Sequence, residues 1–172
     1  VEVDSLYPLD FGLRTVRIAP SGKLVGTVSL SCGAFEVDVG PTAVWMDLTA
    51  PVGTPRATVT ARRACSGDLV TPCLVDSTCS DLALGTCGIG DGGMRISGRL
   101  TGKNSPSVDL RAAGDIAIQG AVEANGSKTR PGGGSVDIDS TAGSIELAAI
   151  VDVRPAYDED YGMPGFGGSI VV

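Results

Sequence analysis

The chain has 172 residues, 42% of them hydrophobic, a formal net charge of −7 and no histidine. That is enough apolar material for a sizeable core in one domain or two, but the missing imidazole excludes Ser-His-Asp catalysis and His-ligated metals. The acidic balance, with basic residues scattered, argues against nucleic acid and anionic membrane as partners, and no apolar run approaches the roughly 18 residues that a membrane-crossing helix needs.

Aromatic residues are scarce: three Phe, three Tyr and one Trp. A sandwich of this size normally uses more aromatic volume, whereas narrow stacked layers are filled by Val, Ile, Leu and Ala. The chain opens at Val1 with neither an initiator Met nor a signal peptide. A processed chain, or a fragment of something longer, is expected to look like this.

Residues 1–63 read as short strands at Arg14 to Ile18, Leu24 to Leu30, Phe35 to Val39, Ala43 to Leu48 and Ala57 to Ala61, punctuated by Gly and Pro. They are expected to be either irregular members of the repeat found further on or a β-rich N-terminal cap. Trp45, among Val44, Met46 and Leu48, is expected in the core. Cys32, in an alternating segment, reads as a buried small apolar residue.

Residues 64–91 carry Cys65, Cys73, Cys79 and Cys87, separated by seven, five and seven residues. Close spacing and turn-rich filler point to a small disulfide-bonded insert. Structural zinc usually takes thiolates about two to four residues apart, and no pair here is that close. Every connectivity of the four cysteines stays open. Disulfides imply an oxidising, extracellular or cell-surface location. Asp68, Asp76 and Asp81 could hold Ca²⁺, although solvated loop acids are the plainer account.

Residues 92–172 hold the clearest pattern. Gly114-Asp115-Ile116-Ala117-Ile118 returns 29 positions later as Gly143-Ser144-Ile145-Glu146-Leu147, and Gly133-Gly134-Ser135-Val136-Asp137-Ile138 returns 34 positions later as Gly167-Gly168-Ser169-Ile170-Val171-Val172. Met94 to Leu100 and Ser107 to Leu110 read as a shorter turn of the same pattern. Apolar residues alternate within each copy, so each is a strand with one buried and one wet face, and self-similarity at this period marks a solenoid. The expected fold is all-β: a parallel β-helix (β-solenoid) with a disulfide-bonded loop insert and a β-rich N-terminal part. Equivalent positions in successive copies should touch.

The loop from Arg154 to Phe166 places Tyr157, Tyr161 and Phe166 beside Asp158, Glu159 and Asp160. An expanded loop is where a repeat protein puts binding surface, so these six residues are candidates for contacting a neighbouring subunit or a glycan. Asp158 and Asp160 are weak Ca²⁺ candidates, and a loop that merely covers an end layer is the bland alternative. Ser169, Ile170, Val171 and Val172 form a candidate assembly strand, because a bare strand edge invites another chain or continuation of a longer solenoid. Asp137 and Asp139 share a strand face about 7 Å apart, as in inverting glycosidases. Any wet strand face supplies that spacing, and neither an aromatic platform nor a committed basic partner is visible near the pair. Asn125-Gly126-Ser127 matches a glycosylation acceptor but reads as a strand corner, and Gly132-Gly133-Gly134 lacks the Lys and helix of a phosphate loop.

From Gly114 onward, strings such as Gly-Asp-Ile-Ala-Ile-Gln-Gly-Ala-Val-Glu-Ala-Asn-Gly and Gly-Gly-Gly-Ser-Val-Asp-Ile resemble the coils of filamentous-haemagglutinin-type and autotransporter-like bacterial surface β-helices. The resemblance implies a secreted or surface-displayed structural protein, not an enzyme, that adheres or builds an extracellular fibre. The cysteine segment resembles small Cys-rich inserts of large secreted proteins of environmental bacteria; long adhesin coils usually lack cysteine. The expected function is an extracellular or cell-surface structural solenoid, an adhesin-like rod or filament-forming subunit without a cofactor, Ca²⁺ aside. It would self-associate or continue in a longer chain and could meet a glycan or host-surface ligand. The alternatives are a carbohydrate-binding or carbohydrate-cleaving β-helix and a Ca²⁺-dependent binding module.

Overall fold

A computed structural model describes residues 8–25, 27–40, 44–48, 56–102, 104, 106–127, 132–158, 163–164 and 167–172. The chain is all-β. Its first strands are β1 (Leu9–Asp10), β2 (Thr15–Ile18), β3 (Lys23–Val25), β4 (Val28–Cys32), β5 (Ala34–Val37), β6 (Val44–Leu48) and β7 (Arg56–Ala61). The cysteine segment follows with β8 (Arg63–Cys65), β9 (Pro72–Cys73), the short helix α1 (Asp76–Asp81) and β10 (Cys87–Ile89). Then come β11 (Met94–Ile96), β12 (Arg99–Gly102), β13 (Ser107–Ala112), β14 (Ile116–Ile118), β15 (Val122–Ala124), β16 (Ser135–Ser140), β17 (Ile145–Leu147) and β18 (Val151–Asp152). A hairpin of β19 (Tyr157–Asp158) and β20 (Met163–Pro164) precedes β21 (Ser169–Val171).

Outside the cysteine segment and that hairpin, these strands lie in several parallel sheets. The first sheet has six strands in the order β1-β4-β7-β13-β16-β21. The second has five, β2-β5-β11-β14-β17, and the third has five, β3-β6-β12-β15-β18. From β2 onward the chain visits them in the fixed order second, third, first. Each visit adds a strand beside the one laid down before.

The sequence copies pair directly. Ile116 stands opposite Ile145, and Ile118 opposite Leu147; Val136 stands opposite Ile170. Strands β2 to β7 enter the same three sheets, so the N-terminal strands are not a separate cap. The expected single strand from Leu24 to Leu30 is corrected. It is two strands, β3 and β4, which belong to different sheets, so the alternating run must turn between them. Trp45 lies in β6; the surroundings of its side chain lie outside what is described.

Register turns alternation into columns. In the second sheet Val16, Phe35, Met94, Ile116 and Ile145 follow one another, as do Ile18, Val37, Ile96, Ile118 and Leu147. In the first, Leu9, Leu30, Val59, Leu110 and Ile138 line up. Apart from Leu9 and Leu147 at the ends of their columns, these side chains belong to one core with Phe35 as its largest fully buried member. Burying each Val, Leu or Ile contributes about 1.5–3 kcal/mol. Cys32 is fully buried in the column it shares with Ala61 and Ala112, as a small apolar residue should be, and burial pushes its thiol up to about 11.

Corners are equally specified. At the turn after β14, a Cβ on Gly120 would lie 1.7 Å from the Gly98 carbonyl oxygen of the neighbouring strand layer. At Gly167 a Cβ would meet nothing within 4 Å. We expect Gly120→Ala to lower unfolding free energy by about 1–3 kcal/mol or more, and Gly167→Ala to stay within about 0.5 kcal/mol of the parent. Thermal or denaturant melts of the two variants check this; equal stabilities would show that the corner relaxes.

Candidate functional site

The cysteine segment leaves the sheets between β7 and β11, at the corner that Gly33 alone spans between β4 and β5. It builds its own three-stranded antiparallel sheet, in the order β10-β8-β9. Its core is sulfur: Cys65, Cys73 and Cys79 are buried, with Leu84 and Cys87 packed against them. Cys65 pairs with Cys79 and Cys73 with Cys87, at Cα–Cα distances of 5.4 and 5.8 Å. The sulfurs of Cys65, Cys73 and Cys79 lie within 4.8 Å of one another, and the two bridges take up all three, Cys73 with Cys87.

The segment's acids close its loops. The Asp68 carboxylate accepts the Val70 and Thr71 N–H groups at 3.2 and 3.0 Å and the Thr71 hydroxyl, and this last contact leads in holding its carboxyl below the usual range. Asp76 accepts the Cys87 N–H at 2.8 Å, tying α1 to β10. The Thr141 hydroxyl donates to the Leu74 carbonyl at 2.5 Å, fastening the segment to the corner between β16 and β17. Its outer surface exposes Leu69, Val70, Val75, Leu82 and Ile89.

The second candidate region is the edge formed by β17, β18 and β21, the last strand of each sheet. Among the described residues each has a strand neighbour on one side only. Apolar side chains are open here: Leu147 is 41% exposed, Ile150 74%, Ile170 44% and Val171 58%. Of the predicted assembly strand, Ser169, Ile170 and Val171 are β21, paired with Ser135, Val136 and Asp137, and Val172 follows it. Of the predicted loop cluster, Tyr157 and Asp158 pair as β19 with β20 in an antiparallel hairpin, so that stretch is not irregular throughout. Glu159, Asp160, Tyr161 and Phe166 lie outside the described residues, so whether the six gather, or Asp158 and Asp160 share an ion, does too.

The acids Asp137 and Asp139 stand on the wet face of β16 beside Asp109 and Arg111 of β13. A basic residue, Arg111, therefore stands opposite Asp139. Arg111 is committed to Asp109, at 3.0 Å.

Charge on the second sheet runs in a column of Arg17, Glu36, Arg95, Ala117 and Glu146. Arg17 lies 3.8 Å from Glu36 and 3.0 Å from Asp38. Corner acids carry the layers across gaps. Asp115 accepts the Ser144 N–H at 2.7 Å and its hydroxyl at 2.9 Å, which holds its carboxyl below the ordinary range. Asn125 accepts the Arg154 N–H at 2.9 Å, so the Asn-Gly pair is a corner. Asp152, hydrogen-bonded by Arg154, and Asp10, by the Gly12 N–H, are lowered too.

The chain matches no family profile, no curated protein and no solved structure in comparisons with known proteins. No helix among the described residues is long and apolar enough to cross a membrane.

Two expectations follow. Each bridge closes a loop of sequence separation 14, so removing one pair by Cys73→Ser with Cys87→Ser should cost the segment about 2–4 kcal/mol. Because the segment has its own core, amide exchange should rise in residues 63–90 while β13 and β16 stay protected; uniform loss of protection would show one cooperative unit. Asp10, Asp115 and Asp152 titrate lower folded than unfolded. Their stabilisation is present above the ordinary carboxylate value near about 4 and is lost as pH falls through the folded values. Melting temperature should drop on acidification below that point, and Asp115→Asn, which keeps an acceptor, should flatten the drop. A variant as acid-sensitive as the parent would remove Asp115 from this account.

Proposed function

We propose that the three parallel sheets are the walls of one parallel β-helix, and that the protein is a structural β-solenoid of the bacterial exterior, a rod- or fibre-building module and not an enzyme. The single observation that carries this is the set of columns running unbroken through successive strands, Val16 to Ile145 and Leu9 to Ile138 among them. The fixed order in which the chain visits the sheets supports the winding. So does the narrowness of a core filled by Val, Ile, Leu and Ala. Two disulfides support an oxidising location outside the cytoplasm. The resemblance to filamentous-haemagglutinin-type coils points the same way, toward adhesion or fibre formation.

A structural role also accounts for the surface. The arginines and acids of the wet faces mostly hold one another: Arg17 with Asp38, Arg99 with Glu123, Arg111 with Asp109 and Arg154 with Asp152. Such pairs are worth little individually, but the two that cross between strands, Arg17–Asp38 and Arg99–Glu123, also favour one register. Edge strands with exposed apolar side chains, as β17 and β21 are among the described residues, are what a fibre module needs, because such an edge supplies the ladder for a next layer.

Electron microscopy and fibre diffraction of the purified full chain at rising concentration test this. The expected result is rods with an axial repeat of about 4.8 Å. A compact monomer that cleaves acidic polysaccharide, with cleavage lost in Asp137→Asn, would overturn the structural reading.

A further inference from the structure

Spacing along the chain counts against zinc in the cysteine segment, but that rule describes ligands that leave one turn in pairs. Here each element of the segment brings one sulfur: Cys65 on β8, Cys73 on β9, Cys79 on α1 and Cys87 on β10. Cys87 stands opposite Cys65, and Cys73 opposite Arg63. Cross-strand partners, and residues two apart on one strand, share a face, so Cys65, Cys73 and Cys87 lie on one face of the small sheet, and the Cys65–Cys79 bridge holds α1 to it. Coordination depends on the distance between sulfurs, whatever their separation in sequence.

A second observation sets this cluster apart from two ordinary bridges. Each bridge requires only its own two cysteines to meet. Cys73 nevertheless lies within 4.8 Å of both sulfurs of the Cys65–Cys79 bridge, and Cys87 is bonded to it. A zinc ion held tetrahedrally at about 2.3 Å sets its sulfurs about 3.8 Å apart. Once the bridges open, side-chain rotation across Cα separations of 5.4 and 5.8 Å reaches that spacing. Carboxylates that would compete are taken up by the backbone, Asp68 by the Val70 and Thr71 N–H groups and Asp76 by that of Cys87. Three of the cysteines are buried, and half-buried Cys87 gives the entry path a metal site needs.

We infer that the four cysteines are a redox-selected zinc site: with the bridges reduced, Cys65, Cys73, Cys79 and Cys87 hold one Zn²⁺ as a tetrathiolate, and oxidation replaces the ion with the two bridges. A dithiol or phosphine reductant supplies four electrons to open the two S–S bonds, and the four thiols lose their protons as the Zn–S bonds form. In the reverse direction two molecules of a peroxide take four electrons from the thiolates and four protons from water, the four Zn–S bonds break, two S–S bonds form, and Zn²⁺ and four waters leave. Soft thiolates favour Zn²⁺ over Ca²⁺. The segment's own core is little more than its cysteines, so in either state the cross-link is what closes it. The site stands whether or not the sheets form one β-helix, and it gives the segment a closed state in a reducing compartment as well as an oxidising one.

The test uses the full chain, reduced with a phosphine in oxygen-free buffer. One Zn²⁺ per chain should stay bound through gel filtration, and Co²⁺ in its place should give the intense visible bands of a tetrahedral thiolate site. Cys65→Ser, and Cys73→Ser with Cys87→Ser, should each weaken metal binding at least about ten-fold. Cys32→Ala, in the column of Ala61 and Ala112, should leave it unchanged. Amide exchange gives a readout that needs no variant: residues 63–90 should open on reduction and regain protection when Zn²⁺ is added, with β13 and β16 protected throughout. Peroxide should then expel the ion, two peroxides per zinc, and peptide mapping should recover Cys65–Cys79 and Cys73–Cys87. A reduced chain that neither takes up Zn²⁺ nor gains protection from it overturns the site. Zn²⁺ held equally by the serine variants, or Co²⁺ with the weak bands of octahedral oxygen ligation, overturns it too and moves the ion to surface carboxylates. Zinc that survives peroxide overturns the exchange with the bridges.

Discussion

Parallel pairing in register, unshifted through the first and second sheets, is the constraint on which the rest of this structure depends. A parallel ladder places each residue beside its counterpart in the next strand at about 4.8 Å, so a choice made at one position is imposed along the whole column. Ile116 can be an isoleucine because Met94 and Ile145 flank it with apolar volume. Cys32 can be a cysteine because Ala61, next to it, is small. Slipping one strand by a residue would turn its buried row to water and its acids inward. Column identity therefore does here what large aromatic residues do in a sandwich core.

The same rule operates on the wet faces, with opposite sign. Stacking like on like is favourable for isoleucine and unfavourable for aspartate, so the charged columns cannot simply repeat. Asp109 and Asp137 are direct neighbours, and Arg111, two positions along from Asp109, is drawn onto that carboxylate. In the second sheet the conflict is avoided by alternation, with Arg17, Glu36 and Arg95 in successive strands. Where only a corner joins the layers, Asp115 and Asn125 span them with side-chain acceptors. Polar columns thus say where a strand must sit, and apolar columns say why it stays.

What could be read from the sequence follows the same division. Gly114–Leu147 was legible because two copies of one motif sit in one window, and the pairing of Ile116 with Ile145 is that self-similarity made spatial. The run from Leu24 to Leu30 misled because alternation continues across a turn, and period alone does not mark where a chain changes sheets. Helix α1 has six residues and no side-chain cap at Val75, too little periodicity to register. The bridges were legible as bridges. Their pairing was not, because it depends on which strand of the small sheet faces α1. Columns such as Arg17–Glu36–Arg95 were invisible for a plainer reason: their members are 19 and 59 positions apart, at intervals set by intervening loops.

The cysteine segment shows how a structure governed by register tolerates an insertion. Its chain departs after Ala61 and returns at Met94, yet β7 and β11 each occupy the place in their sheets that an uninterrupted chain would give them. That requires the two ends of the excursion to stay close, at an entropic cost that grows only slowly with loop length. The segment meets the cost locally. Antiparallel pairing of β8 with β10 brings its ends together, and two bridges prevent the loop from opening into the neighbouring layers. The hydroxyl of Thr141, at the corner two layers on, then ties it down through Leu74. A segment whose own core is little more than its cysteines is thereby held to the sheets while the columns of the first and second sheets cross the insertion in register, which is why the excursion sits at a corner and not within a strand.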